Sequence, residues 1–380
     1  MAQDPIDRGQ RTGPAPEVAS RSRRRTVLLI VALLIVVVGT VAWFWRGEIA
    51  IRLATREIDR LAAAADPAAG LADGLHVGLC GTGSPMTDAR HGGPCTAVIA
   101  GRKMFIVDAG SGSAASLNRM RLNPARIEAV LITHYHSDHI AGLGDLLMQH
   151  WVAASSKTPL PVYGPPGLGQ VLDGTRVAFE LDNGYRTAHH GERIAPTSGR
   201  GAEAREFVPA QDGRVVLIET PDLVVTAFLV DHGPIRPAVG YRFDYKGRSV
   251  VLSGDTKASP AVERESRDAD LLIHEALSPR LLALLESGFA RHARSTYAQV
   301  MLDIRNYHTS PAEAADIAQR AGVRMLVFNH IVPPLPSDLL EPAFLGDARE
   351  RYKGPLHVGR DGDFFSLPAG SRSIETGARP

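Results

Sequence analysis

The segment LITHYHSDHIAGL, Leu131 to Leu143, sets His134, His136, Asp138 and His139 within six consecutive positions. It continues the apolar run AVLI at 129–132, which reads as a β-strand, and it leads into a stretch with helical spacing. Where the chain is extended, side chains alternate with a period of two. His134 and His136 therefore point to one side and can grip one cation. Asp138 and His139 fall at the turn into the helix and can face a second. Neutral imidazoles with a carboxylate suit zinc (Zn2+), with Mn2+ and Fe2+ as the other candidates. A merely solvated loop has no use for three histidines and an aspartate at this spacing.

Other β-like runs end in residues of the same kind. DLVVTAFLVDH (222–232) ends in His232, SVVLSGD (249–255) in Asp255, DLLIHE (270–275) in His274 and Glu275, and MLVFNH (325–330) in His330. Singly, each is an ordinary polar residue at a strand end. Together they describe strands delivering ligands to a common rim, as active sites on layered scaffolds do.

Working outward, short β-rich runs come first: LHVGLCG (75–81), TAVIAG (96–101) and KMFIVDAG (103–110). Later strands alternate with helical segments. Ser310-Pro311-Ala312-Glu313 forms a capping box with proline at the first helical position. This pattern predicts a layered α/β domain over 71–367, followed by a polar tail at 368–380. The stretch DNGYRTAHHGER (182–193) reads either as a pocket lining, through His189 and His190, or as a solvated loop.

Ahead of the domain, TVLLIVALLIVVVGTVAWFW (26–45) carries no charge. Twenty helical residues span about 30 Å, the thickness of a bilayer core. Residues 1–25 are expected to be a disordered cytoplasmic tail ending in Arg21, Arg23, Arg24 and Arg25, and 46–70 a stalk and linker. Trp43 and Trp45 suit the membrane interface. The run is long for a cleaved signal, and no A-x-A-like site closes it. The arginine cluster favours an inside N-terminus, which predicts a single-pass protein of the cytoplasmic membrane with its domain on the extracytoplasmic side.

Composition narrows the partners. The 380 residues carry a net charge of +1, with 44% hydrophobic and 22% charged content. No concentrated basic face stands out, so nucleic acid is not expected as a partner. The two cysteines, Cys80 and Cys95, exclude a disulfide scaffold and a thiolate zinc finger. They are compatible with one disulfide or with two buried thiols. The oligomeric state stays open, a homo-oligomer included.

The order HxHxDH, strand-end His, SGDT and strand-end His resembles the ligand order of the metallo-β-lactamase superfamily. GTGSP (81–85), DHGPIRPAVGYRF (231–243), VVLSGDT (250–256), LLIHEAL (271–277), YHTSPAEAA (307–315) and NHIVPP (329–334) resemble its ribonuclease Z and arylsulfatase-like branch. The resemblance covers nearly all of 75–335 and implies a four-layer αββα sandwich, which the transmembrane helix read at 26–45 would precede. It implies two divalent ions, one on His134, His136 and His232 and the other on Asp138, His139 and His330, with Asp255 bridging. A water or hydroxide between the ions would be the nucleophile. Asp138 would orient it, His308 would be the general acid, and Glu275 would orient His308. His274 is expected to be buried rather than a ligand.

Two departures shape the expected substrate. Ribonuclease Z carries a tRNA-gripping arm between its GYR and SGDT strands, whereas here Ser253 follows Arg242 almost at once. Asp255 stands where true metallo-β-lactamases commonly have cysteine, which argues against antibiotic hydrolysis. The expected activity is hydrolysis of a small-molecule phosphodiester, sulfate ester or similar ester. The alternatives are tRNA 3′-end processing or a catalytically silent metal-binding protein.

Overall fold

The side-chain alternation of β1 (Gly74–Gly81) decides the layering. Leu75, Val77 and Leu79 enter one apolar core, while Cys80 enters another on the opposite face. The neighbouring β2 (Cys95–Ala100) repeats this: Val98 and Ala100 join the first core, and Cys95, Ala97 and Ile99 the second. A sheet apolar on both faces must be covered on both. The computed structural model describes residues 17–63, 68, 70–86 and 88–379, and in it two such sheets stack between layers of helix.

The first sheet continues with β3 (Lys103–Val107), β4 (Ile127–Leu131), β5 (Leu160–Gly164) and β6 (Ala202–Glu206). The second holds β7 (Arg214–Glu219), β8 (Leu223–His232), β9 (Ile235–Tyr245), β10 (Arg248–Leu252), β11 (Leu271–Leu277), β12 (Met325–Val332) and β13 (Leu356–Val358). The chain then returns to the first sheet with β14 (Asp363–Pro368) and β15 (Glu375–Ala378). The orders are β15-β14-β1-β2-β3-β4-β5-β6 and β13-β12-β11-β10-β9-β8-β7. Phe105 of β3 and Phe243 of β9 meet between the sheets with ring centroids 5.8 Å apart. Full burial of each such ring contributes roughly 1.5–3 kcal/mol.

Helices α2 (Ser113–Arg119), α3 (Ser137–Ile140), α4 (Leu143–Ala154) and α5 (Leu168–His190) follow strands of the first sheet. Against the second lie α6 (Pro260–Glu265), α7 (Pro279–Arg291), α8 (Ser295–Asp303) and α9 (Pro311–Ala321). The capping box at α9 is complete: Ser310 accepts the Glu313 N–H, and the Glu313 carboxylate accepts the Ser310 N–H. The αββα order is the expected fold. Strands β4, β8, β10, β11 and β12 all end toward one rim, where the metal-capable residues collect.

Two segments differ from their sequence reading, and one alternative left open is resolved. The stretch 182–193 is not a loop over most of its length, because α5 runs on to His190. His189 and His190 occupy its exposed last turn. Part of the expected polar tail is ordered, since β15 pairs with β14. Buried Arg248 pins the approach to β15 by donating to the carbonyls of Pro368, Ser371 and Ser373. Cys80 and Cys95 are joined in a disulfide, with Cα atoms 5.0 Å apart. The alternation that sends both side chains into the same core explains the pairing.

The N-terminal unit is a separate helix, α1 (Glu17–Ala63). Its span Arg23–Arg60 contains a window of mean hydropathy 3.0, none of it buried. It includes the apolar run 26–45 and has the length and composition of a membrane span or a signal. Residues 1–16 of the expected tail and 64–67 of the linker lie outside the described residues.

Candidate metal centre

His134 follows β4 directly, His136 is the N-cap of α3, and His232 closes β8. Their imidazoles meet Asp255 in one group whose ligand-capable atoms all lie within 4.8 Å of one another. Nε2 of His134 is 3.0 Å from Nδ1 of His136, and Nε2 of His232 is 3.4 Å from the same atom. His232 donates from Nδ1 to the Tyr307 carbonyl at 3.0 Å, so its Nε2 carries a lone pair into the group.

Asp138, His139 and His330 form a second group, within the same 4.8 Å limit. His330 Nε2 lies 3.1 Å from Oδ2 of Asp255 and 3.3 Å from Oδ2 of Asp138. His139 Nε2 lies 3.4 and 3.5 Å from the same two oxygens. Asp255 Oδ2 also stands 3.9 Å from His134 and from His232, so one carboxylate serves both groups.

The donor chemistry fits a cation. His139 donates from Nδ1 to Asp108 at 2.8 Å, which leaves Nε2 as a lone pair facing two carboxylates. That nitrogen is buried and has no hydrogen-bond partner among the described residues. Converging lone pairs and carboxylates repel one another unless positive charge lies between them. The electrostatics agree in direction. Burial, followed by the charge of His139, holds His134 well below its usual pKa. At Asp255 burial opposes the charged form, but His330 and His139 outweigh it and hold the carboxyl well below its usual range. At His139 burial is outweighed by Asp255 and Asp108, and its pKa stands well above the usual value, so without a cation a proton on Nε2 supplies the positive charge that the two carboxylates call for.

Local backbone features aim these side chains. Gly254 adopts φ +59°, and a Cβ there would fall 2.5 Å from the Val239 carbonyl oxygen, so the turn that presents Asp255 needs glycine. His330 has φ +46° and sits in a bulge of β12, where Glu275 pairs with Asn329 and Ala276 with Ile331. The extra residue leaves the ladder and turns its imidazole into the site.

Beside the two groups, Glu275 accepts from Nδ1 of His308 at 3.0 Å. Burial works against a charged His308, but Glu275 outweighs it and lifts the pKa to about 8. His308 stacks on His330 with centroids 5.6 Å apart. His274 is buried with its Nδ1 on the Glu275 carbonyl oxygen, outside both groups. Two contributors went unread in the sequence. Asp108 holds His139 and accepts both the N–H and the hydroxyl of Thr133, and Asp361 accepts from Thr82 and the Gly92 N–H. Asp108 had a signal, because it ends the strand of KMFIVDAG as the ligands end theirs.

Residues 103–331 match the family model described as the Beta-lactamase superfamily domain. The chain belongs to the metallo-β-lactamase superfamily, whose members are metal-dependent hydrolases, typically dinuclear. Among curated relatives, Ribonuclease Z of Mycobacterium bovis (strain BCG / Pasteur 1173P2) is 37% identical over 291 residues, which is 76% of this chain and 96% of that one. Ribonuclease Z of Mycolicibacterium gilvum is 36% identical over 289 residues, 76% of this chain and 94% of the relative. Among solved structures, the short form of human tRNase Z superposes with TM-score 0.55 at 23% identity, covering 77% of this chain and 99% of that one. A metallo-β-lactamase fold protein of Bacillus subtilis superposes with TM-score 0.56 at 20% identity, covering 78% and 100%.

These relatives overturn the expected partners, a small-molecule ester and no nucleic acid, because the curated proteins matched along nearly their whole length are ribonucleases by name. The expectation rested on near-neutral composition and on the missing arm. The arm is indeed absent: Lys246 and Gly247, both at positive φ, close a two-residue turn between β9 and β10. One loop and a chain-wide average charge say little about the rim where a phosphodiester would be cut.

Proposed function

We propose that this chain is a metal-dependent endoribonuclease that cuts phosphodiester bonds at the 3′ ends of transfer-RNA precursors. The observation that carries the reading is the junction at Asp255, where two metal-capable groups share one carboxylate beside the Glu275–His308 pair. His134, His136 and His232 would hold one divalent ion, and Asp138, His139 and His330 the other, with zinc best suited to the donor set. Ions so held activate water and polarise a phosphoryl oxygen. Asp138 orients the attacking water. His308 donates a proton to the leaving oxygen, and Glu275 fixes its tautomer with Nδ1–H inward. The test is cleavage of precursor tRNA by the metal-loaded full chain in detergent. Correctly placed 3′ cuts support the reading; intact precursor in the presence of bound metal overturns it.

The helix Arg23–Arg60 is proposed to span a membrane. Maturation of tRNA calls for a domain facing the cytoplasm, and the flanking charges permit it, since Arg46, Arg52, Arg56 and Arg60 follow the apolar run as four arginines precede it. A second reading is favoured by the Cys80–Cys95 disulfide, which belongs in an oxidising compartment. On that reading the domain lies outside, and its RNA substrate is extracytoplasmic. Protease added to spheroplasts separates the two. A protected domain fits tRNA maturation, and a degraded one fits the second reading.

A further inference from the structure

Away from the metal centre, α4 and α5 enclose a cavity of about 280 Å³ with the start of β6 as its third wall. Its floor is apolar and aromatic, with Trp151 of α4 and Phe179 of α5 on facing helices. Small residues bring these walls together. A Cβ at Gly144 would fall 2.1 Å from the Phe179 ring, so the glycine is what lets that ring lie against α4. The volume approaches the size of known small-ligand sites.

The polar groups at this cavity are left in want of a partner. Asn183 lines it, is 8% exposed, and makes no hydrogen bond among the described residues through its side chain. Its amide is therefore free to pair with a group brought into the cavity. Arg200 lines it as well. One of its terminal nitrogens donates to the Thr187 hydroxyl at 2.6 Å, and the guanidinium lies 5.8 Å from the Trp151 ring centroid. Its Nε is buried and has no acceptor, and Arg200 makes no ion pair among the described residues. Arg176 adds a second, exposed guanidinium, 3.8 Å from the exposed carboxylate of Asp173, which lines the cavity as well. Two guanidinium groups and an open amide above an aromatic floor ask for an acceptor group carried on a flat apolar body.

We propose that this cavity binds a small organic anion, a carboxylate or a phosphate on an aromatic body. The anionic oxygens sit on Arg200, Asn183 and Arg176, and the ring lies against Trp151 and Phe179. The site is separate from the metal centre and does not rest on the ribonuclease reading.

The probes are phenylacetate, phenyl phosphate and, as the cationic control, benzylamine, each titrated calorimetrically into the metal-loaded full chain in detergent. Saturable binding of one or both anions, with none for benzylamine, is expected; which anion is tighter distinguishes carboxylate from phosphate. Arg200→Met should weaken the anion roughly tenfold or more, as loss of a charged hydrogen bond does. Asn183→Asp should abolish binding by placing a like charge against the ligand. Both variants should keep metal content and metal-dependent cleavage, which shows that they fold. Absence of binding by either anion overturns the proposal. So does anion binding unchanged in Arg200→Met, which would assign the anion to the metal centre. A chain that light scattering shows to be a dimer, and that binds neither anion, would mean a second copy closes the cavity, and that too overturns it.

Discussion

Oε1 of Glu275 stands 3.0 Å from Nδ1 of His308 and accepts, in addition, the backbone N–H groups of Thr256 and Thr309 at 3.1 Å each. Three donors on one oxygen fix the carboxylate, and the carboxylate fixes the ring. With Nδ1–H turned inward, Nε2 is the atom left to face the rim. On the proposed function, Glu275 would act as a positioning residue through His308.

His308→Ala should separate proton donation from metal binding. RNA cleavage is expected to fall roughly 10²–10⁴-fold while elemental analysis finds unchanged metal. A substrate with sulfur in place of the leaving oxygen needs less protonation, so on it the variant should recover most of the loss. Equal losses on both substrates, or lost metal, would leave His308 a structural residue only.

Asp108→Asn tests the partner that holds His139. An amide can donate to Nδ1, which would favour the wrong tautomer and take the lone pair from Nε2. Metal affinity, measured by competition with a chelator, should drop about 10–100-fold. Unchanged affinity would show that His139 holds its orientation without Asp108.

Much of this cluster could be read from the chain because its metal-capable residues sit at or just past strand ends, and strand ends are marked by apolar runs that stop at a polar residue. His134, His136, Asp138 and His139 were legible from spacing, and His232, Asp255 and His330 from position. Asp108 was not singled out, because a lone strand-end aspartate looks the same whether it meets solvent or a histidine 31 positions away. The bulge at His330 was equally hidden, since it depends on the register of β12 against β11. The helical course of 182–190 was missed because a run rich in Asn, Gly and His gives a weak helical period. Partner choice was the least legible, for recognition of a long polyanion depends on where charges lie in the fold, and a composition sums them.

The disulfide makes a stability prediction. Cys80 and Cys95 close a loop with a sequence separation of 15, for which the chain-entropy estimate is about 3 kcal/mol. Both sulfurs are buried, so added reductant reaches them slowly; the clean comparison is the Cys80→Ala/Cys95→Ala double variant. Chemical denaturation in detergent should show a loss of about that size with an unchanged slope. If the domain lies outside the cytoplasm, alkylation of the denatured wild-type chain before and after reduction should show two thiols only after reduction. Two thiols already free before reduction would place the domain in a reducing compartment and remove the expected stability difference.

Asp255→Ala should do what His308→Ala does not. One oxygen of Asp255 lies between 3.1 and 3.9 Å from His330, His139, His134 and His232, so its removal strips the shared anion from both groups at once. Four buried imidazoles would then face one another, with Asp138 the one carboxylate left within the two groups and Asp108 behind His139. Two divalent ions held in these groups would repel one another, and the carboxylate the groups share would offset that repulsion. The wild-type chain is expected to hold close to two equivalents of metal, and Asp255→Ala at most one, with RNA cleavage lost. The metal-free wild-type and the variant should also melt closer together than the metal-loaded wild-type and the variant, because metal binding adds to folding stability. Asp255→Asn keeps the shape and removes the charge, so it should track the alanine variant if charge is what matters. Two retained equivalents in Asp255→Ala, or normal turnover, would mean that the two groups do not share this carboxylate and that the ligand assignment is wrong.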